Sequence, residues 1–211
     1  MKKKDFLRLI TFSVSKTITF FALLLTINAA QAQNVTIPDA NFKAYLVGNS
    51  AINTNGDTEI QISEASAFNG AIDCNTQSIA SLSGVEAFTN LNILECSFNP
   101  ITSLDVSQNL ALTRLNCGDM QLTSLDVSQN QFLYELYCGH NQLSSLDVSQ
   151  NPDLVNIGCA HNQLMSLNLS QNPSLYAISC SSNQLTSLDL SQNPNCGLFA
   201  CDSNQLECLN V

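Results

Sequence analysis

The sequence predicts a solenoid of stacked, nearly identical coils, and three observations support this. A 21-residue unit begins at Leu91, and further copies begin at Leu112, Leu133, Leu154, Leu175 and Cys196. Apolar residues recur at unit positions 1, 4, 6, 11, 14 and 16. One unit cannot bury these residues alone, whereas stacked units build a continuous core. The alternation Leu94-x-Cys96, at positions 4 and 6, is the period of a short strand with one buried face.

Two further columns are almost as regular as the apolar ones. Position 6 is Cys in every copy: Cys96, Cys117, Cys138, Cys159, Cys180 and Cys201. Since neighbouring strands lie about 4.8 Å apart, we expect these thiols to form a buried ladder of small hydrophobic side chains. Position 9 is Asn in all copies except the one with Met120. We expect each Asn side chain to hydrogen-bond backbone groups of the next coil.

This pattern resembles the leucine-rich repeat L-x-x-L-x-L-x-x-N/C-x-L, with Cys at the sixth place. The resemblance implies a right-handed leucine-rich-repeat solenoid with a parallel β-sheet on its concave face. A 21-residue coil leaves little room for helices, so we expect turns and extended segments on the convex face around LDVSQN. Residues 91–211 then form six repeats, preceded by a degenerate leading repeat at 69–90. Within that leading repeat, SLSGVEAFTNL resembles the linking turn of internalin-like bacterial repeats, which implies an exported bacterial protein.

Residues 1–32 are predicted to be a secretory signal peptide. A basic start is followed by the apolar stretch ITFFALLLTINAA, and Ala30-Gln31-Ala32 fits the small-x-small rule for cleavage after Ala32. An uncleaved membrane anchor is the alternative, although the stretch is short for a bilayer. We therefore expect a secreted or cell-surface protein without a membrane span in its mature chain.

The mature chain is strongly acidic. Seventeen Asp and Glu residues less Asp5 leave sixteen against only Lys43 and Arg114, a net charge of about −14. Such a charge disfavours binding to nucleic acid or to anionic membranes, and it suits basic or neutral partners.

Residues 33–68 lie outside the repeats and are predicted to cap the first coil. The segment IPDANFKAYLV has the pattern of a short helix with Pro38 and Asp39 at its start. Phe42, Leu46 and Val47 would form its apolar face, and Gly48-Asn49-Ser50 would stop it.

The cap also contains NTNGDTEIQISE, residues 53–64, which resembles the calcium loop of EF-hand and dockerin-like modules. The resemblance implies a weak calcium site of the extracellular kind. Its ligands would be the side-chain oxygens of Asn53, Asn55 and Asp57, the Glu59 carbonyl and the Glu64 carboxylate. Asn53 replaces the usual Asp and Thr58 replaces the usual Gly, and both changes weaken such a site. A polar turn between the cap and the first strand is the alternative.

Side chains at positions 3, 5, 7 and 8 are expected to point out of the concave sheet, where stacked repeats bind their partners. The large and chemically distinct ones cluster in the first four copies and form our candidate ligand-binding set: Phe98, Arg114, Asp119, Glu135, Tyr137, His140 and His161. The expected partner is a protein or a glycan. Ordinary variable surface is one alternative, and a metal ion shared by the two His residues is another.

Two features of the repeats have simpler interpretations. Asp105, Asp126, Asp147 and Asp189 recur at position 15, each two places before a Ser, and we expect them to cap their own turns. In the last copy, Cys196 and Cys208 lie outside the thiol column, where a disulfide between them is plausible.

The sequence favours a binding module over an enzyme. It contains no Gly-x-Ser-x-Gly, no His-Glu-x-x-His and no phosphate loop. The alternative function is a structural spacer or accessory region of a larger secreted protein, because the chain stops at Val211 without a distinct capping segment.

Overall fold

The computed structural model describes residues 33–210, so the predicted signal peptide lies outside the described residues. The described chain starts with two short helices, α1 at Ala40–Gly48 and α2 at Ile62–Ala67. A single 3₁₀ turn follows at Val85–Ala87, within the first coil. Each later coil consists of one short strand and turns, except the last two, which contain a second strand each.

Seven three-residue strands, one from each coil, form a parallel sheet. They are β1 Ala71–Asp73, β2 Ile93–Glu95, β3 Arg114–Asn116, β4 Glu135–Tyr137, β5 Asn156–Gly158, β6 Ala177–Ser179 and β8 Leu198–Ala200. Equivalent unit positions pair in register, as Leu94 does with Leu115. On the opposite side of the last two coils, β7 (Ser187–Asp189) pairs with β9 (Cys208–Asn210). The predicted leucine-rich-repeat solenoid is confirmed.

The predicted columns form the core. The Cys column from Cys74 to Cys180 is fully buried, and Cys201 is half-buried. Burial raises the pKa of Cys74, Cys117 and Cys180 to about 12, so these thiols stay protonated. All nine cysteines are free, and the disulfide considered between Cys196 and Cys208 is not formed.

The Asn ladder at position 9 connects adjacent coils. Asn141 Nδ2 donates to the carbonyls of Cys117 at 2.9 Å and Cys138 at 3.0 Å, and its Oδ1 accepts from the Leu122 N–H at 3.0 Å. Asn162 repeats these contacts one coil further on. The expectation that these bonds reach the next coil was wrong. They reach the preceding one, because each Asn lies against the turn of the coil before it.

A second Asn ladder, at position 19, was not predicted. Its members are fully or almost fully buried: Asn109, Asn130, Asn151, Asn172 and Asn193. The Nδ2 group of Asn130 donates to the carbonyls of Val106 at 2.9 Å and Asn109 at 3.0 Å in the preceding coil. Where position 9 is also Asn, both turns of a coil are therefore joined to the preceding coil by a side-chain amide.

The cap is joined to the first coil by Asp39. Its Oδ1 accepts from the N–H groups of Asn41 and Phe42, both at 2.9 Å, which caps helix α1. Its Oδ2 accepts from the N–H groups of Ala80 at 2.8 Å and Ser81 at 3.2 Å. The helix prediction is confirmed, since α1 ends at Gly48 and buries Phe42 and Leu46.

On the convex face, the position-15 carboxylates cap their own turns as expected. Asp105 Oδ1 accepts from the Ser107 N–H at 2.9 Å, and the three other Asp residues of this column make the same contact. This hydrogen bond lowers the pKa of Asp105. The regular spacing of these carboxylates thus has a local structural cause.

We expect Asn162→Ala to lower the free energy of unfolding by at least about 2 kcal/mol. It leaves the buried Leu143 N–H without its acceptor, which costs about 1–3 kcal/mol. It also removes one hydrogen bond, worth about 0.5–1.5 kcal/mol, from each of the Cys138 and Cys159 carbonyls, which keep donors from Asn141 and Asn183. Denaturant titration followed by circular dichroism measures the change. Gln163→Ala, at an exposed neighbouring position, is the control and should change little. Equal effects of the two substitutions would contradict the ladder's role.

Asp39 should make the cap sensitive to acid. Burial opposes its ionisation, but the four backbone donors outweigh burial and lower its pKa. Its stabilising contribution is therefore complete above the unfolded pKa of about 3.9 and is lost as pH falls through the lower folded value. Asp39→Asn should lower the melting temperature at pH 7 and flatten its decline on acidification. Parallel acid profiles for this variant and the wild type would show that Asp39 has no such role, and the exposed Asp153→Asn serves as the control.

Candidate functional site

A polar cluster lies on the concave sheet at positions 3 and 5 of strands β2 to β5. Arg114 Nε lies 2.7 Å from Glu95 Oε1, and its Nη1 lies 3.3 Å from Glu135 Oε2. The three side chains come from successive coils. Parallel register brings them onto one face, so the guanidinium bridges two carboxylates that would otherwise repel each other.

The ring of Tyr137 lies beside this cluster. The Arg114 Cζ lies 5.6 Å from the centre of its ring, within cation–π range. In the following coil, a Cβ added to Gly158 would lie 3.0 Å from Tyr137 Cδ1, so glycine leaves the room in which the ring lies. Burial, together with Glu135, raises the pKa of Tyr137, so its hydroxyl remains a hydrogen-bond donor. The ring is thus held in place by its neighbours before any partner binds.

Beyond Tyr137 the concave face opens into a hollow of about 660 Å³. Its floor is made by small residues at positions 3, 5 and 7: Gly158, Ala160, Ala177, Ser179 and Ala200. Asp119 and His140 also line it. The hollow coincides with small side chains at position 5 of the last three repeats, Gly158, Ser179 and Ala200, and the exposed Leu198 and Phe199 also line it.

His140 and His161 stack on each other, with ring centres 4.1 Å apart and planes 17° from parallel. Both have a positive φ of 55°, as does every position-8 residue within a few degrees, from Phe98 to Ser203. Position 8 therefore lies in the left-handed turn after each strand, and two of its residues, Asp119 and His140, line the concave hollow. Among residues 33–210 there is no group of three or more His, Cys, Asp or Glu suited to a metal ion.

The structure separates the seven candidate residues into three places. Arg114, Glu135 and Tyr137 form the concave cluster, while Asp119 and the His pair lie in the turns at its margin. Phe98 lies in the equivalent turn of the first full repeat with 59% of its surface exposed.

Sequence reasoning missed three residues that complete the cluster: Glu95, Asn116 and Asn156. Asn116 Nδ2 donates to Glu95 Oε2 at 2.8 Å, and Asn156 Nδ2 donates to Glu135 Oε1 at 3.0 Å. All three lie at positions 3 or 5. The alternation of acidic, basic and amide side chains at these positions across neighbouring coils could have predicted that they interact.

In loop 53–64, the Glu64 carboxylate is surrounded by donors. Its Oε1 accepts from the Thr54 N–H at 2.8 Å and hydroxyl at 2.9 Å and from the Asn55 N–H at 3.1 Å, and its Oε2 accepts from the Gln61 N–H at 3.1 Å. Burial opposes ionisation, but these bonds outweigh it and lower the pKa of Glu64. Glu64 is the third residue of helix α2, which was not predicted, and forms a capping box with Gln61 at the start of that helix.

The other predicted calcium ligands lie in the same loop, but their oxygens already have partners. Asn53 Oδ1 accepts from the Gly56 N–H at 3.1 Å, Asn55 Oδ1 from the Asp57 N–H at 2.8 Å and Asp57 Oδ1 from the Glu59 N–H at 2.7 Å. The Glu59 side chain pairs with Lys43 at 2.6 Å, whereas its predicted ligand, the backbone carbonyl, is not part of this ion pair. The loop has the oxygens that calcium prefers, yet a cation would have to displace the bonds of Glu64 to use its carboxylate.

The comparisons place the chain near the internalins. It is 36% identical over 86 residues to internalin J of Listeria monocytogenes serotype 4b (strain F2365), an alignment covering 40% of this chain and 9% of that protein. The structure of the functional domain of InlJ from Listeria monocytogenes, which includes a cysteine ladder, matches 82% of this chain and 48% of that chain. Its TM-score is 0.58 and its identity is 30%.

A second solved structure, internalin C2 of Listeria monocytogenes, shows the same fold at 18% identity and a TM-score of 0.60. It covers 83% of this chain and 91% of that chain. No protein-family model matches the sequence. These similar proteins are internalins. Within residues 33–210, every helix is too short or too polar to cross a bilayer.

Calcium binding stays a prediction that melting temperature can test. If the loop binds calcium weakly, millimolar calcium should raise the melting temperature, because a ligand that binds the folded state stabilises it. Asp57→Asn removes a ligand charge without touching the bonds of Glu64, and it should abolish the rise. The exposed Asp153→Asn should retain the rise. A wild-type melting temperature that does not respond to calcium would contradict the site.

Proposed function

We propose that this protein is a secreted or cell-surface binding module that recognises a protein partner through its concave face. The observation that carries the proposal is the hollow of about 660 Å³ beside Tyr137. Similarity to internalins and the leucine-rich-repeat fold support a role in protein binding. The motif content of the sequence supports a role without catalysis.

The geometry suits non-covalent recognition. Tyr137 is held between Arg114 and Gly158, so little side-chain freedom is lost when a partner packs against it. Tyrosine and arginine are common anchors at protein interfaces. The small residues of the floor leave room for a protruding side chain of the partner. The ion-paired Arg114, at the margin of the hollow, would fix the orientation of the partner.

A spacer within a larger protein is the second candidate. The observation that favours it is that the matched segment is 9% of internalin J and 48% of the InlJ domain. The chain thus spans less than half of the length of these relatives.

Site-specific photo-crosslinking tests the proposal. A benzophenone amino acid is placed either at Ser179, in the hollow, or at Ser170, on the exposed outer turn. Both proteins are exposed to the same mixture of extracellular proteins. We expect a defined adduct from position 179 that disappears with Tyr137→Ala, and none from position 170. Equal adducts from both positions, or none from position 179, would favour the spacer.

Protease and glycosidase treatment of the adduct then identifies the chemistry of the partner. An adduct removed by glycosidases but resistant to proteases would replace the protein partner with a glycan. Matching circular dichroism spectra of the variants would exclude loss of folding as the cause.

A further inference from the structure

A second hollow, of about 740 Å³, lies beside the starts of strands β3 to β5. Apolar and aromatic side chains line it together with polar and charged ones, among them Arg114 and Glu135 of the concave cluster. We call its central surface the aromatic flank, formed by Phe132, Tyr134, Asp153 and Val155. The side chain of Phe132 is 62% exposed and that of Tyr134 is 49% exposed. Large exposed aromatic residues side by side are typical of interaction surfaces.

The repeat does not require these aromatic side chains. The column of Phe132, at position 21, holds Ala111, Ser174 and Asn195 in other coils. The column of Tyr134, at position 2, holds Asn92, Thr113 and Gly197. Coils with small or polar residues at these positions fold in the same register, so Phe132 and Tyr134 do not serve the core.

The charges around the flank indicate what kind of partner fits. Lys43 and Arg114 are the two Lys or Arg residues between 33 and 210, and both already pair with Glu residues. Asp153, which lines the flank, takes part in none of the three ion pairs found in that range. Within residues 33–210 no Lys or Arg is left to pair with Asp153, so a cation that pairs with it comes from outside this range.

We propose that the aromatic flank binds a basic, extended segment of a protein partner. One arginine or lysine of that segment lies against the faces of Phe132 and Tyr134 and directs its charge to Asp153. Exposed aromatic rings attract cations through their quadrupole, and the adjacent carboxylate adds a direct electrostatic attraction. Apolar residues of the segment contact Val155 in the same hollow. Arg114 and Glu135 of the concave cluster also line this hollow, but none of its lining residues lines the hollow at Tyr137. The inference rests on Phe132, Tyr134 and Asp153 and stands independently of the proposed function.

Titration with matched probes tests this inference. The full mature chain, labelled with ¹⁵N, is titrated with acetyl-Gly-Leu-Arg-Leu-Arg-Gly-amide, with the counterpart that carries Glu for Arg, and with a neutral glucose hexasaccharide. Shifts of backbone amides map the site and give the dissociation constant. Phe132→Ser with Tyr134→Ser removes the rings, and Asp153→Asn removes the charge. Met165→Ser is the control, since this side chain is 67% exposed and lies outside the hollow.

We expect the arginine peptide to shift amides of the residues around Phe132, Tyr134 and Asp153, and the glutamate peptide to leave them unchanged. The double serine variant should weaken binding about tenfold, the effect of losing roughly 1.4 kcal/mol. Asp153→Asn should weaken binding and reduce its salt dependence, while Met165→Ser should match the wild type.

Three results would overturn the inference. Equal binding of the arginine peptide to the double serine variant would show diffuse attraction to an acidic surface. Shifts confined to residues around Tyr137 would place binding at the other hollow. Binding of the hexasaccharide, but not of the arginine peptide, with loss in the double serine variant would assign the flank to glycans.

Discussion

Hydrogen bonding of the buried backbone is the constraint on which this solenoid depends. Each coil turns sharply after its short strand and again on the far side, and both turns bury carbonyl groups away from water. The two Asn ladders satisfy such groups. Asn141 donates to the Cys117 carbonyl and accepts from the Leu122 N–H, and Asn130 donates to the Val106 carbonyl. Since an unpaired buried polar group is costly, register between coils is set by these amides as well as by the apolar columns. The concave surface inherits this register, which is why Arg114 meets its two carboxylates.

In the cap and at its contact with the first coil, carboxylates pair with backbone groups. Asp39 holds helix α1 to the backbone at Ala80, and Glu64 closes loop 53–64 onto Thr54 and Asn55. Each carboxylate accepts several N–H donors, and each pKa is lowered as a result. In loop 53–64, N–H donors already surround the carboxylate, so the loop is held together by its own hydrogen bonds. Any cation that binds there competes with these hydrogen bonds.

Much of the fold could be predicted because the 21-residue period repeats every buried column. Position 19 was missed because Asn109 and its equivalents lie within the polar run LDVSQN, which resembles exposed turn sequence. Helix α2 was missed because six residues are too few to show a helical period. Positions 3 and 5 predicted which side chains share the concave face.

The details of the site could not be predicted in the same way. Which atoms of Arg114 meet Glu95 and Glu135 depends on rotamers and coil spacing, which a repeat pattern does not contain. The turn geometry of position 8 was equally hidden, since Phe, Asp, His and Ser all occupy it.

The reactivity of each buried thiol reports whether its own coil is closed. A protonated, fully enclosed thiol such as that of Cys117 or Cys138 does not react with alkylating or oxidising reagents. Modification of one of them therefore records that its own coil has opened, and the ladder reports opening coil by coil along the molecule. Oxidation beyond the sulfenic state adds charge and bulk that the core cannot accept, so an opened coil that is oxidised cannot close again. Within the ladder, we expect oxidation to start at the C-terminal end, where Cys201 is only half-buried.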